Sequence, residues 1–201
     1  MVQFEDLVKF EGIEDVPRNQ RMQFVSNQRR ETATQIRDCI TQLQETFPKE
    51  FNSIKPIEQT EDIEEAFEDF KSEFENIQVQ FPIGVFEFLW VTYGTEPDIN
   101  SEFGLPSFPL TKSGVDGYTQ IDLDFDEEID PLSEKFQFLV CVDIKSKSFG
   151  SVKLWNQKKL IRVSDSFEEF FKLFTEMMVE EFANAGDERK IAIEDFYYQF
   201  E

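Results

Sequence analysis

The sequence predicts an α+β fold, in which a mainly antiparallel β-sheet packs against several α-helices. Apolar residues recur at helical spacing in the first half of the chain, and short strand-like segments follow between residues 118 and 163. A further amphipathic pattern comes after these segments. Helices, then consecutive strands, then a helix is the order typical of this class. The 201 residues are 40% hydrophobic and include 24 Phe, so we expect a phenylalanine-rich core.

Two amphipathic helices are predicted in the first half of the chain. In residues 24–47 the apolar positions are spaced by three or four residues, and they are Ile36, Ile40, Leu43 and Phe47. In residues 60–77 the same spacing places one apolar face opposite many acidic residues, and its members are Ile63, Phe67, Phe70, Phe74 and Ile77. Residues 1–20 lack this period, and Pro17 indicates a loop there.

A third helix is predicted from Val85 to Tyr93, because Pro82 suits its first turn and Gly94 its end. Residues 95–117, rich in Gly, Pro, Ser and Asp, are expected to form a long loop.

Strands are predicted at residues 118–126 and 136–144, followed by a hairpin of residues 151–155 and 159–163. The last predicted helix starts at a capping box formed by Ser166 and Glu169 and ends near Asn184. Residues 191–200 are apolar, but their pattern does not distinguish a helix from a strand.

Negative charge is concentrated in the middle of the chain. The net charge is −22, and residues 55–140 carry 21 acidic and 4 basic residues, a local net charge of −17. Phosphate backbones and anionic membranes repel such a surface, so we expect neither nucleic acid nor a membrane as partner. A basic protein would be attracted to it, although solubility alone would also explain an acidic composition.

We expect the protein-binding surface to lie on the second helix and on the segment that contains the first strand. Its acidic residues are Glu64, Glu65, Glu68, Asp69, Asp122, Asp124, Asp126, Glu127, Glu128 and Asp130.

The residue types present argue against an enzyme. The chain has no His, which removes Ser-His and Cys-His nucleophile activation and His metal ligands. Its two cysteines, Cys39 and Cys141, suit a reducing compartment and are expected to be buried. The first residues lack the pattern of a signal peptide, and no apolar run is long enough to span a membrane. We therefore expect a soluble cytoplasmic protein without catalytic residues or cofactor.

A metal site is the alternative interpretation of one acidic segment. Asp122, Asp124 and Asp126 have the spacing that opens a calcium-binding loop, but Glu127 and Ser133 stand where that loop requires Gly and Glu. The alternation of a strand gives the same spacing, so we predict no metal. A carboxylate-based metal hydrolase is the least favoured of the functions considered.

Three further segments are notable for their order and spacing along the chain. Phe81-Pro82-Ile83-Gly84 opens the helix that ends in Tyr93-Gly94, Phe149-Gly150-Ser151-Val152 leads to Trp155, and Ser166-Phe167-Glu168-Glu169-Phe170 starts the last helix. Together with residues 63–74, they resemble the SMI1/KNR4 family of the SUKH superfamily. The resemblance covers residues 57–178, and Tyr93 stands where the family usually has Asn.

The resemblance implies a SUKH-like α+β domain at residues 55–182, with a helical extension at residues 1–54 and a C-terminal tail at residues 183–201. It also implies binding rather than catalysis, because many bacterial members are immunity proteins that neutralise a cognate toxin. We expect such an immunity protein here, with a toxin domain, such as a basic nuclease, as the partner of the acidic surface. A regulatory scaffold without a toxin partner, like the eukaryotic relatives, is the alternative.

Overall fold

The computed structural model describes residues 7–51, 54, 80–92, 104–107, 114–126 and 128–201. Its helices are α1 (Arg21–Thr46), α2 (Pro48–Phe51), α3 (Ile83–Thr92), α4 (Phe167–Glu176) and α5 (Arg189–Tyr198). Its strands are β1 (Val8–Lys9), β2 (Phe81–Pro82), β3 (Tyr118–Ile121), β4 (Gln137–Cys141), β5 (Val152–Trp155) and β6 (Leu160–Ser164). An antiparallel sheet packed against helices confirms the predicted α+β class.

The main sheet has the strand order β3-β4-β5-β6, with every neighbouring pair antiparallel. Phe138 on β4 faces the helices, since its ring centroid lies 4.9 Å from that of Phe170 on α4 and 5.5 Å from that of Phe196 on α5. Aromatic pairs at such distances add to the energy of burial. The expected phenylalanine-rich core is confirmed by the largest fully buried side chains, which include Phe86, Phe88, Phe136, Phe138, Phe167, Phe170, Phe171, Phe174, Phe182 and Phe196.

Helix α1 confirms the helix predicted over residues 24–47. The apolar stripe is buried, with Ile36 and Leu43 fully inaccessible, and it packs against α3 and α4. Arg29 of α1 also binds the buried carboxylate of Glu87 on α3, with 2.5 Å between Nε and Oε1. Helix α1 therefore shares one core with the other elements, while the predicted division of the chain at residue 54 stays a prediction.

The N-terminal segment is not only a loop. Val8 and Lys9 form β1, which pairs in parallel with β2 at Phe81 and Pro82. Leu7, Val8 and Phe10 are buried. The expectation of a loop over residues 1–20 is thus wrong for β1, because a strand of two residues is too short to show periodicity.

The last predicted helix is confirmed and has three parts. Its N-cap is Ser166, whose side chain accepts a hydrogen bond from the Glu169 amide, as the capping box predicts. Helix α4 continues as a π-helix over Met177–Glu181 and then as a 3₁₀ turn over Phe182–Asn184. The apolar residues after it form α5, which buries Ile193, Phe196 and Tyr197.

The third helix and the later strands are confirmed, but the first strand is shorter than predicted. Strand β3 ends at Ile121, and an isolated bridge between Ser107 and Asp122 follows it. The backbone then departs from strand geometry, because Asp124 has a φ of 51°. The helix predicted at residues 60–77 and most of the loop predicted at residues 95–117 lie outside the described residues. Within the described part of the chain, no helix has the length and hydropathy needed to cross a bilayer.

Candidate functional site

The acidic segment after β3 forms an exposed turn at one edge of the main sheet. Asp122, Asp124, Asp126 and Glu128 are all exposed, while Ile121 before them and Leu123 among them are buried. None of these four carboxylates forms an ion pair with a Lys or Arg of the described ranges. The solvent side of this segment therefore carries four negative charges without an ion-pair partner in the described ranges, three of them, Asp122, Asp124 and Asp126, at the positions that the predicted alternation turns outward.

Asp124 is the most constrained of these four residues. Its carbonyl oxygen accepts a hydrogen bond of 3.0 Å from the Gly104 amide, and its carboxylate lies so close to Gly104 that a Cβ there would come within 2.6 Å of Oδ2. Removal of water by this packing raises the pKa of Asp124, and the negative charge of Asp122 raises it further. The segment therefore holds its carboxylates near one another against their mutual repulsion.

Asp126 shapes the turn that leads back to the core. Its Oδ1 accepts a hydrogen bond of 3.0 Å from the Glu128 amide, and its carbonyl oxygen accepts hydrogen bonds from the amides of Ile129 and Asp130. An Asp that binds the amide two residues ahead is a common way to initiate a turn. This turn directs Glu128 outward and Asp130 inward.

Asp130 does not belong to the exposed surface, so its prediction as a surface residue is wrong. It is 4% exposed, and its Oδ2 accepts a hydrogen bond of 2.8 Å from the hydroxyl of Tyr197 on α5. Its Oδ1 accepts a second hydrogen bond, of 3.2 Å, from the Leu132 amide. These two donors make burial of the carboxyl group possible, and neither contact can be recognised from the sequence around Asp130.

Burial raises the pKa of both partners in this pair. For Asp130 the loss of water is the main cause, and the Tyr197 hydrogen bond counteracts part of the increase. For Tyr197 the pKa is raised well above its usual value by burial and by the Asp130 charge. The tyrosine hydroxyl therefore stays protonated and serves as a permanent donor to Asp130.

The remaining predicted site residues lie outside the described residues. They are Glu64, Glu65, Glu68, Asp69 and Glu127. Their membership of an acidic surface stays a prediction.

The described residues provide little of what a metal site or a nucleophile needs. No group of three or more His, Cys, Asp or Glu side chains among them could hold a metal ion. Cys39 and Cys141 are buried and are not joined in a disulfide, and burial raises the pKa of the Cys39 thiol. A raised pKa disfavours the reactive thiolate, so this cysteine is a core residue.

The three segments that carry the family resemblance meet at one cleft of about 140 Å³. Gly84, at the start of α3, lies directly under the Glu168 carboxylate of α4, and a Cβ on Gly84 would collide with it. Gly150, with a φ of 80°, approaches the Pro82 ring, which a Cβ would meet at 3.4 Å. Gly84 thus permits a close approach that a side chain would prevent, while Gly150 adopts a left-handed backbone conformation that favours glycine.

The cleft also contains polar groups that sequence reasoning missed. Lys9, Glu11 and Gln28 line it together with Glu168. Lys9 donates a hydrogen bond of 2.6 Å to the Ile144 carbonyl oxygen and lies over the Phe149 ring. The pKa of Glu168 is raised, and burial is the largest of the causes. Because Lys9 and Glu11 come from the N-terminal strand region, no local pattern could have linked them to Glu168.

Comparisons with known proteins identify no relative of this chain. No family model, no curated protein and no solved structure matches it.

Proposed function

We propose that this chain is a non-enzymatic protein-binding protein of the SMI1/KNR4 type, which acts as an immunity protein against a toxin domain with a basic surface. The observation that carries this proposal is the exposed acidic face formed by Asp122, Asp124, Asp126 and Glu128, which lacks ion-pair partners in the described part of the chain. A basic partner would relieve the repulsion among these charges on binding.

The arrangement of the acidic face favours binding over solubility as its purpose. Charges that serve solubility are effective when they are dispersed. Here four acidic side chains lie on one short segment, and hydrogen bonds that involve Gly104 and Glu128 hold its backbone. A surface that is held in place before binding loses less conformational entropy when a partner docks.

The choice of a nuclease as the toxin rests on charge. A nuclease carries a basic surface to bind phosphate groups, and an acidic protein that covers this surface blocks the active site. The meeting of the three resemblance segments at the cleft beside Gly84 supports the family assignment.

The test is capture of partners from the native host with the purified chain at low and at high salt. We expect the main partner to be a basic protein whose retention falls at high salt, and co-expression of the chain to abolish the growth defect that this partner causes. The variant Asp122→Asn, Asp124→Asn, Asp126→Asn, Glu128→Gln should bind it at least about tenfold more weakly, mainly through slower association.

A matched control removes the same number of charges elsewhere. Asp38→Asn, Glu45→Gln, Asp187→Asn and Asp195→Asn are exposed positions on other elements and should leave affinity nearly unchanged. Equal weakening by both variants would show that net charge alone matters. Neutral partners held without salt sensitivity would instead indicate a regulatory scaffold.

A further inference from the structure

The hairpin of β5 and β6 is a basic region in an acidic protein. Residues 144–164 contain six Lys or Arg residues and no Asp or Glu, although the whole chain carries a net charge of −22. Four of the six cations, Lys153, Lys158, Lys159 and Arg162, lie on the two strands or on the turn between them. This local excess of positive charge favours an anionic partner, the opposite of the one that the acidic face favours.

The strand register gathers two of these cations with two apolar side chains on one face of the hairpin. Lys153 lies opposite Arg162, and Trp155 lies opposite Leu160. Residues directly opposite one another share a face, and residues two apart along a strand share it too. The four side chains therefore form one patch, on the face turned away from α4 and α5, because Leu154 between them faces the core with Phe138.

This patch is accessible. The Arg162 side chain is 65% exposed and Leu160 is 36% exposed, while Lys153 and Trp155 are half-buried. Arg162 contacts the Asp165 carboxylate, which is equally exposed. Because an ion pair in water contributes little, another carboxylate can replace Asp165 at small cost.

Strand β6 also ends the sheet. It pairs with β5 on one side, and no other strand of the described residues pairs with it on the opposite side. Backbone groups along such an edge can form hydrogen bonds with an added strand. The bulge between Val152 and Lys153 interrupts the pairing of β5 and β6 only at the end near Ser164, so residues 160–162 keep regular strand geometry.

We propose that the β6 edge binds an extended acidic segment of a partner protein as an added strand. Backbone hydrogen bonds to β6 supply affinity, and alternate side chains of the segment contact the patch. Its carboxylates pair with Arg162 and Lys153, and its apolar side chains cover Leu160 and Trp155. This surface is independent of the acidic face, which lies beyond β3 at the opposite edge of the sheet.

Two other occupants fit the surface less well. A second copy paired through β6 in antiparallel fashion would bring the cations of one hairpin against those of the other. A second copy docked through its acidic face would form a head-to-tail contact, which builds a ring or a filament, and the turn that presents the acidic face is not an extended strand that could pair with β6. A nucleic acid would be attracted by the patch but repelled by the chain's charge of −22.

The test uses the full chain and synthetic peptides of about eight residues, an ordinary strand length. One peptide has Glu and Val in turn at every second position, so that both types lie on one face, with Thr at the positions between them. A second peptide has Lys in place of Glu, and a third is the acidic peptide with methylated backbone nitrogens on its pairing edge. Fluorescence anisotropy measures binding, and hydrogen–deuterium exchange locates it. We expect only the first peptide to bind and to slow exchange in residues 160–164.

Charge reversal supplies the second arm of the test. Lys153→Glu with Arg162→Glu should weaken binding of the acidic peptide at least about fivefold, and Lys190→Glu, at an exposed position of α5, should not. The proposal is overturned if the acidic peptide does not bind at millimolar concentration, if the methylated peptide binds equally, or if exchange slows only outside β6. Binding of a single-stranded oligonucleotide at the patch in preference to the peptide, or self-association through β6, would overturn it as well.

Discussion

Asp130 and Tyr197 form a buried hydrogen bond that joins the end of the acidic segment to the last helix. The distance from the Tyr197 hydroxyl to Oδ2 is 2.8 Å, and the Tyr197 ring stacks on Phe136 and Phe138. Sixty-seven residues separate the two partners in the sequence. This bond therefore couples the position of the acidic face to the packing of α5 on the sheet.

Loss of the tyrosine hydroxyl should destabilise the fold. In Tyr197→Phe the ring stays, but Oδ2 of Asp130 loses its donor while it remains buried, which costs about 1–3 kcal/mol. Urea unfolding measures the loss. The control is Tyr198→Phe, next to it and 45% exposed, for which we expect a change below about 0.5 kcal/mol. Equal effects of the two substitutions would contradict an energetic role for the hydrogen bond.

The same pair should make stability depend on pH. The Asp130 pKa is raised above its ordinary value of 3.8, so the folded state holds this proton more tightly than the unfolded state does. Its contribution to stability is complete below the unfolded pKa and is lost as pH rises through the folded pKa. Asp130→Asn cannot lose a proton, so its stability relative to the wild type should increase as pH rises above about 4.

A second shift of the Asp130 pKa distinguishes this explanation from a general effect of acid on stability. The Tyr197 hydrogen bond lowers the Asp130 pKa, so Tyr197→Phe should raise it and move the window to higher pH. Carboxyl chemical shifts followed by NMR would report the titration of Asp130 in both proteins. A pKa that does not move, or that falls, would show that the hydroxyl does not stabilise the carboxylate.

The buried ion pair between α1 and α3 should be sensitive to removal of one partner. In Arg29→Met the Glu87 carboxylate, 1% exposed, loses its guanidinium, for which about 3–5 kcal/mol is expected. Arg29→Met with Glu87→Leu should cost less than the single change, because the buried Glu87 charge is removed together with the guanidinium that binds it. Arg162→Met breaks an exposed pair and should cost about 0–1 kcal/mol. A double variant as unstable as Arg29→Met would contradict this account.

The close approach of Gly84 to the Glu168 carboxylate should make any larger residue at position 84 destabilising. A Cβ in Gly84→Ala collides with the Glu168 carboxylate and comes within 3.1 Å of the Glu168 amide nitrogen, so we expect about 1–3 kcal/mol of destabilisation. Glu168→Ala should reduce this cost, and a double-mutant cycle measures the coupling. Gly114→Ala, with no atom within 4 Å of its Cβ, is the control. Additive effects would mean that the carboxylate moves aside freely.

Local patterns predicted the fold class and most described elements because those elements bury one face. Ile36, Ile40 and Leu43 repeat at helical spacing, and α1 buries all three. Ile121 and Leu123 alternate with acids, and both are buried. Strands β1 and β2 were not predicted because each has only two residues. Their pairing joins residues that are far apart in the sequence.

The acidic segment shows where such reasoning stops. Residues 126–130 include several acidic residues that the sequence alone does not distinguish. Only the contact with Tyr197 identifies Asp130 as the buried one. The cleft has the same limitation, since Lys9 and Glu168 meet there from opposite ends of the chain. When only tertiary contacts bury a residue or bring it to a site, the surrounding sequence has no periodicity that would identify it.

The acidic face should reduce stability if it exists for a partner. The charge of Asp122 raises the pKa of Asp124 and Asp130, so it opposes ionisation of both. Asp122→Asn should lower both pKa values and increase the free energy of unfolding by at most about 1 kcal/mol, with a larger gain at low salt because salt screens the repulsion. Surfaces kept for binding often cost stability in this way.

Urea unfolding at two salt concentrations measures the gain in stability of Asp122→Asn. Asp195→Asn is the control, because no contact of its side chain with the acidic segment is present among the described residues. If Asp122→Asn destabilised the chain instead, this carboxylate would serve the fold itself, and the repulsion that a basic partner is proposed to relieve would be absent.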